Sequence, residues 1–358
     1  MPILRCRLLA VAALLLGFAQ HAVAQDDPLS IAFVYDSAIE NNSWTGQHDA
    51  GRQAIEAHFG DRVTTQYVEN VEPGTDAATT MQDLANAGVD MIFATSVAFS
   101  DTTVSVAGQF PDVFFENANS DSRADNVATY AARDYQGMTI EGHIAGQLTA
   151  TNEIGIVAPF PIPVVMRNIN AFAIEMRRVN PNANLNVAWI NSWNDPPAAT
   201  EAATTLVDNG ADILVQFTDS PAVLQVAQDR GILGFGLTSD MLSFAPDAQL
   251  TAVLNDYGPY YISRVQAALD GTWQSAATWD GLGTDMVSMA DYTNMSEEVA
   301  NGARALEQAL ASGQRRSFQG PIFAQDGSEI VTQGQVIGDE SLLTMDFFVE
   351  GVIGAAPN

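Results

Sequence analysis

IAFVYDSAIENNSW, residues 31–44, runs from an apolar strand through a polar loop into the start of a helix. Residues 31–35 form a β-branched and aromatic run of the kind found in a strand buried on both faces. The loop offers Asp36, Glu40, Asn41 and Asn42, and either Asn42 or Ser43 can cap the helix that follows. Trp44 falls in that helix's first turn. In an open α/β sheet, ligands bind where the carboxyl end of a strand meets a helix N-terminus. An indole placed there is costly to leave in water, so a flat molecule is expected to cover it.

The same alternation continues along the chain. Strands are predicted at 63–68, 91–94, 113–116 and 127–130, and helices at 43–59, 74–87 and 100–110. A helix near 135–149 leads into a second series, with strands at 154–158, 185–190, 213–217 and 232–235 and helices at 164–178, 198–209 and 221–230. After residue 251 the chain returns through 253–254, a helix near 258–269, a helix around 297–312 and a hairpin at 322–331 holding Asp326-Gly327. Repeated strand–helix units require mostly parallel sheets covered on both faces. The expected fold is α/β, with two doubly wound Rossmann-like lobes joined by a multi-strand hinge. The first lobe is assigned 25–133 plus about 255–285, and the second 134–254 plus about 286–358.

Composition bounds the function. Arg5 and Arg7, the apolar run 8–16 and Ala22-Val23-Ala24 read as a secretory signal over residues 1–24. The apolar run is too short to span a bilayer, which takes ~20 residues. The single cysteine, Cys6, precedes that run, so the exported chain is expected to be free of disulfides, thiol catalysis and cysteine–metal sites. All 14 basic residues are arginine, and loss of the signal takes the formal charge from -29 to near -31. Such a surface repels nucleic acid and anionic membranes. Solvation in a salty exterior accounts for the acidity, and no calcium-binding loop of the D-x-[DN]-x-[DN]-G type is present to give it another purpose.

The residues that follow the apolar strands are the most informative. Asp36 and Trp44 follow the first; Thr95, Ser96 and Phe99 follow 91–94; Phe160 follows 154–158. Asn191, Ser192, Trp193 and Asp195 follow 185–190, and Thr218, Asp219 and Ser220 follow 213–217. Ser239 and Asp240, then Asn255 and Asp256, follow the last two. If the strand edges face each other across a cleft, Trp44 from one lobe and Trp193 from the other can close on a planar ring, each face contributing ~0.5–1.5 kcal/mol beyond burial. Asp36, Asn42, Ser96, Phe160, Asp219 and Asn255 then supply the edge and floor of the site. The plainer alternative packs either tryptophan under a loop. Trp189, inside a strand, reads as core, and Trp273 and Trp279 as surface or hinge packing.

The segments VYDSAIENNSWTGQHDAGRQA, ADNVATYAARDYQGMTIEGHIAG, INSWNDPPAATEAATTLVDNGADILVQFTDSP and FFVEGVIG resemble the basic membrane protein (BMP) family of ABC-transporter solute-binding proteins over essentially the whole exported chain. The resemblance implies a type I periplasmic-binding fold and a purine nucleoside, purine base or riboflavin as ligand. It implies that Trp44 and Trp193 occupy aromatic clamp positions, that Asp240 is a ligand-binding acid and that Asp36 lies at an acidic position of the site. Nucleoside-binding members carry a lysine near the third crossing that holds the ribose. Here the matching region is Leu254-Asn255-Asp256 and lysine is absent, which favours a free base such as adenine or guanine. An ABC permease in the inner membrane is the implied partner. The absence of a lipidation cysteine implies a diffusible periplasmic monomer.

No catalytic residue, metal site or cofactor is expected. The histidines after the signal, His48, His58 and His143, lie in predicted helices without metal-ligand spacing, and His48, one turn from Trp44, reads as a helix-surface residue, with lining the cleft as its alternative. No nucleophile elbow, P-loop or dinucleotide fingerprint is present. A nucleoside hydrolase using Asp219 and Asp240 as a carboxylate pair is the enzymatic alternative. An exported receptor that senses a nucleoside or flavin is the other.

Overall fold

The computed structural model describes residues 27–40 and 42–354. The signal segment at 1–24 and the loop residue Asn41 lie outside the described residues. Five strands open the chain: β1 (Leu29–Val34), β2 (Val63–Val68), β3 (Met91–Ala94), β4 (Phe114–Ala118) and β5 (Val127–Ala132). Between them run α1 (Trp44–Phe59), α2 (Thr75–Asn86) and α3 (Ser100–Ala107). The second series holds β6 (Glu153–Ala158), β7 (Asn184–Trp189), β8 (Ile213–Gln216), β9 (Leu233–Thr238) and β10 (Gln249–Asn255), with α4 (Tyr135–Leu148), α5 (Pro163–Val179), α6 (Pro196–Asp208) and α7 (Ala222–Arg230). Then come α8 (Gly258–Leu269), β11 (Ala277–Asp280), β12 (Val287–Met289) and α9 (Glu297–Ala311). The chain finishes with β13 (Ile322–Phe323), β14 (Glu329–Val331), α10 (Asp339–Leu343) and β15 (Val352–Ile353).

Two sheets result. The first, ordered β11-β5-β4-β3-β1-β2, is parallel throughout. The second, ordered β12-β10-β9-β8-β6-β7-β15, is parallel except at β12. Central strands such as β3, MIFA, are buried along their whole length, as strands covered on both faces must be. Helix α8 packs on α1, beside the first sheet, and α4 packs on α5, α9 and β10, beside the second. The chain therefore crosses between sheets three times: at Arg133–Asp134, at Asp256–Tyr257, and between β11 and β12.

Sequence reading places most parallel strands within a residue or two, ends β9 three residues early, starts β10 four residues late, and misses β11, β12, β15 and α10. These are two to five residues long. Hydrophobic periodicity needs a longer window than that. The hairpin at 322–331 is present as β13 and β14.

The buried carboxylate of β4 is met by an arginine. Glu116 on β4 is fully buried and accepts from Arg264 Nε at 2.5 Å, Tyr260 Oη at 2.7 Å and Trp273 Nε1 at 2.7 Å. Trp273 is thereby fixed in the first lobe, stacked on Phe114 with centroids 4.5 Å apart. In the second lobe α4 lies so close to α5 that a Cβ on Gly142 would overlap the Phe172 carbonyl. Main chain cannot step aside, so Gly142→Ala should lower stability by ~1–3 kcal/mol or more. In this chain that is a fall in melting temperature of several degrees, at ~2–4 °C per kcal/mol. Gly108→Ala, whose Cβ meets nothing closer than 3.7 Å, is the control and should leave the melting temperature unchanged or slightly higher.

Candidate functional site

Ser43 caps α1: its hydroxyl accepts the Gly46 N–H at 3.0 Å. That satisfies one of the free N–H groups of the first turn. A second is satisfied from the opposite lobe, because the Trp44 N–H donates to Asp219 Oδ1 at 2.6 Å. The Asp219 N–H in turn donates to the Trp193 carbonyl at 2.7 Å. One residue at the carboxyl end of β8 thus ties together the two tryptophan segments. Beside it, the Ser239 hydroxyl donates to the Asn42 carbonyl at 3.0 Å, a further contact between lobes.

The Trp44 indole is half-buried and donates its Nε1–H to the Thr95 carbonyl at 2.7 Å. His48, one turn along α1, meets it edge to face with centroids 4.4 Å apart. Tyr257, from the second crossing, lies parallel to His48 at 4.1 Å and edge-on to Trp44 at 5.6 Å. His48 is fully buried, correcting the expectation of a surface residue. Helix α1 also buries Gly51, Ile55 and Phe59, and helical spacing from those residues carries His48 onto the same inward face. His48 Nδ1 is bonded to the Tyr261 hydroxyl, which is 2.7 Å from the Tyr130 hydroxyl. Burial holds the imidazole well below its ordinary pKa, in the neutral form.

Several buried polar atoms around these rings have no protein partner: His48 Nε2, Tyr257 Oη, Asn255 Oδ1, Arg167 Nε, Thr218 Oγ1 and Ser220 Oγ. Asn255 donates through Nδ2 to Asp134 Oδ1 at 2.7 Å. Buried polar groups left without a bond are costly and rare. His48 Nε2 and Tyr257 Oη belong to the aromatic cluster itself, and Thr218 and Ser220 flank Asp219, so this cluster is the candidate place for a polar guest. Sequence reading gave His48 at the cleft only as an alternative, and missed Tyr257, Asp134 and Arg167, which come from three separate stretches of chain.

The other expected residues fall as follows. Asp36 is half-buried, where burial raises its pKa against the hydroxyls of Ser96 and Ser37, which favour the charged form. Ser96 is buried and caps the short turn that begins α3. Phe160 is half-buried and lies 6.0 Å from Trp193, centroid to centroid. Trp193 itself is 39% exposed. Asp240 is exposed, and its Oδ1 accepts from Gln249 Nε2 at 2.7 Å and from the Leu242 N–H at 2.9 Å, both in its own lobe. The structure therefore brings Trp44, Asp219, Trp193, Asn42 and Phe160 into one connected set, and leaves Asp240 bonded elsewhere. Burial, reinforced by the charges of Asp36 and Glu40, pushes Asp219 up to about 7, although the Trp44 N–H favours its charged form. Trp189 is half-buried and stacked on Phe348 at 6.3 Å, so it is a lobe-packing residue.

Comparison with known proteins agrees with this geometry. The family described as Bmp, ABC transporter substrate-binding protein PnrA-like, matches residues 29–314. A purine-binding protein of Brucella abortus is 44% identical over 97% of this chain and 98% of its own. A putative ABC transporter glucose-binding protein of Haloferax volcanii is 33% identical over 94% of this chain and 83% of its own. Among solved structures, ABC-transporter solute-binding proteins from Conexibacter woesei and Aeropyrum pernix superpose with TM-scores of 0.67 and 0.69 at 21% and 15% identity. They cover 80% and 81% of this chain, and 98% and 93% of their own. Those likenesses give the fold, a type I periplasmic-binding arrangement of two lobes. Family members and these relatives are solute-binding proteins, not enzymes. The chain belongs to the Bmp family of PnrA-like ABC-transporter substrate-binding proteins.

Proposed function

We propose that this protein captures a free purine base, adenine or guanine in type, between its lobes and delivers it to an ABC permease from the periplasm as a diffusible monomer. The observation that carries the reading is the box of Trp44, His48 and Tyr257, in which flat aromatic surfaces adjoin unpartnered nitrogen and oxygen atoms. Flat rings offer stacking to a heterocycle, and the unpartnered atoms offer directional bonds to its edge. A site that must hydrogen-bond its ligand rejects an analogue that cannot reply. The purine-binding relative supports the same assignment. With no lysine in the chain and with Tyr257 and Asn255 at the second crossing, the lysine that holds the ribose in nucleoside-binding members has no counterpart, which favours the base over the nucleoside. We place the lobe boundaries at the crossings, with 25–133 and about 255–285 in the first lobe and 134–254 and about 286–358 in the second.

Binding and closure are coupled. The ligand stacks on Trp44, with Asp36, Ser96 and the Asn42 loop at its edge, and Phe160 and Trp193 approach from the second lobe as it closes. Asp219 completes closure by accepting the Trp44 N–H. A ligand shifts such an equilibrium only by its preference for the closed form. A sugar is the second reading, because a relative is described as glucose-binding. Isothermal calorimetry against adenine, guanine, adenosine and glucose separates them. Heat with the bases and none with glucose supports the purine; the reverse pattern overturns it. Trp44→Ala should weaken base binding by ~1–3 kcal/mol, the loss for one base–aromatic stack, with the melting temperature of the ligand-free protein little changed.

Closure should also be linked to protons. In the closed arrangement the Asp219 carboxyl stands at about 7; exposed by opening, it returns toward its ordinary 3.8. A group whose pKa is higher in the closed form takes up a proton on closing, so acid favours closure across that window. Affinity is therefore expected to be level above about pH 8 and to strengthen as the pH falls toward about 5, by less than tenfold per unit. Asp219→Asn should flatten the profile when adenine titrations are repeated between those limits.

A further inference from the structure

Beyond residue 314, where the family match ends, the chain builds β13, β14, α10 and β15 and stays attached to the second lobe. Its contacts with α5 are numerous. Asn170 Nδ2 donates to the Phe347 carbonyl at 2.7 Å, and Asn170 Oδ1 accepts the Val349 N–H at 3.1 Å. Arg177 pairs with Glu350 at 2.8 Å, and Arg178 donates to the Gln319 carbonyl. β15 then pairs with β7.

One contact of this segment goes elsewhere. Asp339, at the start of α10, accepts a two-pronged bond from Arg133, at 2.9 Å to Oδ1 and 2.6 Å to Oδ2. Arg133 lies at the first crossing. Its Nε donates to the Trp279 carbonyl at 2.8 Å and its main-chain N–H to the Asp280 carbonyl at 2.6 Å, so it also grips the start of the third crossing. The Arg133 guanidinium stands 4.1 Å from the centroid of the Trp279 ring, and the Arg167 guanidinium, from α5, stands 4.8 Å from the same ring. Arg167 is buried and donates to the carbonyl of Leu342, the penultimate residue of α10, at 2.8 Å. One indole of the first sheet is thus contacted by a cation from the hinge and a cation from the second lobe, and α10 holds both.

We propose that the C-terminal segment is a strap that biases the hinge toward the closed arrangement, with Asp339 acting as a positioning residue for ligand capture through Arg133 and Trp279. The planar guanidinium permits this double duty, because it can stack on a ring while its edge bonds a carboxylate. Asp339 belongs to neither the aromatic box nor the Asp219 contact, so any effect it has on binding passes through the hinge. The proposal rests on the purine reading only for the choice of ligand.

The test uses the full exported chain carrying Asp339→Asn, Asp339→Glu or Glu350→Gln. The last removes a strap contact confined to the second lobe. Small-angle scattering of the ligand-free proteins reads the lobe equilibrium without any ligand, and stopped-flow release of adenine reads retention. Asp339→Asn should give a larger radius of gyration and release adenine about three- to tenfold faster, since the apparent affinity scales with the closed fraction. Asp339→Glu, which keeps the carboxylate, and Glu350→Gln should both match the wild type. Unchanged scattering and release in Asp339→Asn would overturn the strap, as would a lowered melting temperature with neither readout moved. Wild-type protein that fails to bind adenine would instead defeat the purine reading, and the scattering comparison would still decide the strap.

Discussion

The hydrogen bond from the Trp44 N–H to Asp219 sets one end of α1 against the opposite lobe, and the site depends on it. A helix N-terminus presents free N–H groups and partial positive charge, so a carboxylate there is stabilised. Because Asp219 also donates its own N–H to Trp193, closing the lobes positions both tryptophan segments in one movement. The same contact is costly to Asp219, whose carboxylate must leave water beside Asp36 and Glu40. A latch balanced in this way holds without being irreversible, as a carrier that must also release its cargo requires.

The lack of lysine gives this chemistry its character. Every cation of the chain is a guanidinium, and guanidinium groups here do work that ammonium groups do poorly. Arg264 bonds Glu116 while standing 4.9 Å from the Trp273 centroid, and Arg52 bonds Asp49 while standing 5.1 Å from the Tyr67 centroid. Arg178 and Arg315 share Glu175 and, with His143 beside it, outweigh burial and hold that carboxyl at about 2. At Arg264 and Arg52 a planar fork thus both neutralises a buried acid and lies beside an aromatic ring.

Much of the fold is legible in the sequence because it is local. The run 31–35, the Ser43 cap and Gly231, left-handed at the end of α7, each declare themselves within a few residues. Half of the candidate site is legible for the same reason: Asp219 comes soon after β8, Asn255 ends β10 and Trp44 opens the helix after β1, at the strand ends where ligands of such sheets collect. The other half is not. His48 shares the inward stripe of Ile55 and Phe59, but its partner Tyr257 reaches it from more than two hundred positions away. Asp134 matters because a crossing places it against Asn255. Asp240 follows its strand as the rule expects, yet its carboxylate is bonded to Gln249. Position after a strand nominates a residue; only the tertiary partner decides its direction.

That the crossings and the candidate site share residues has a physical consequence for the proposed closure. Asp134 and Tyr257 belong to the crossings themselves, Asn255 is the last residue of the strand that enters the second, and Tyr257 Oη and Asn255 Oδ1 are among the unpartnered atoms. A guest that bonds to them bonds to the segments that must turn when the lobes move. No relay across the lobes is then needed for binding to bias closure, because the differential contacts sit at the pivot. Arg167 extends the arrangement outward: burial lowers it to about 10, its Nε is unpartnered near Asp134, and its far edge is held by the Leu342 carbonyl. Asn255 bonds Asp134, Asp134 and Arg167 attract each other by charge, and Arg167 bonds the Leu342 carbonyl, so the proposed strap and the proposed guest would act on adjoining groups at one pivot.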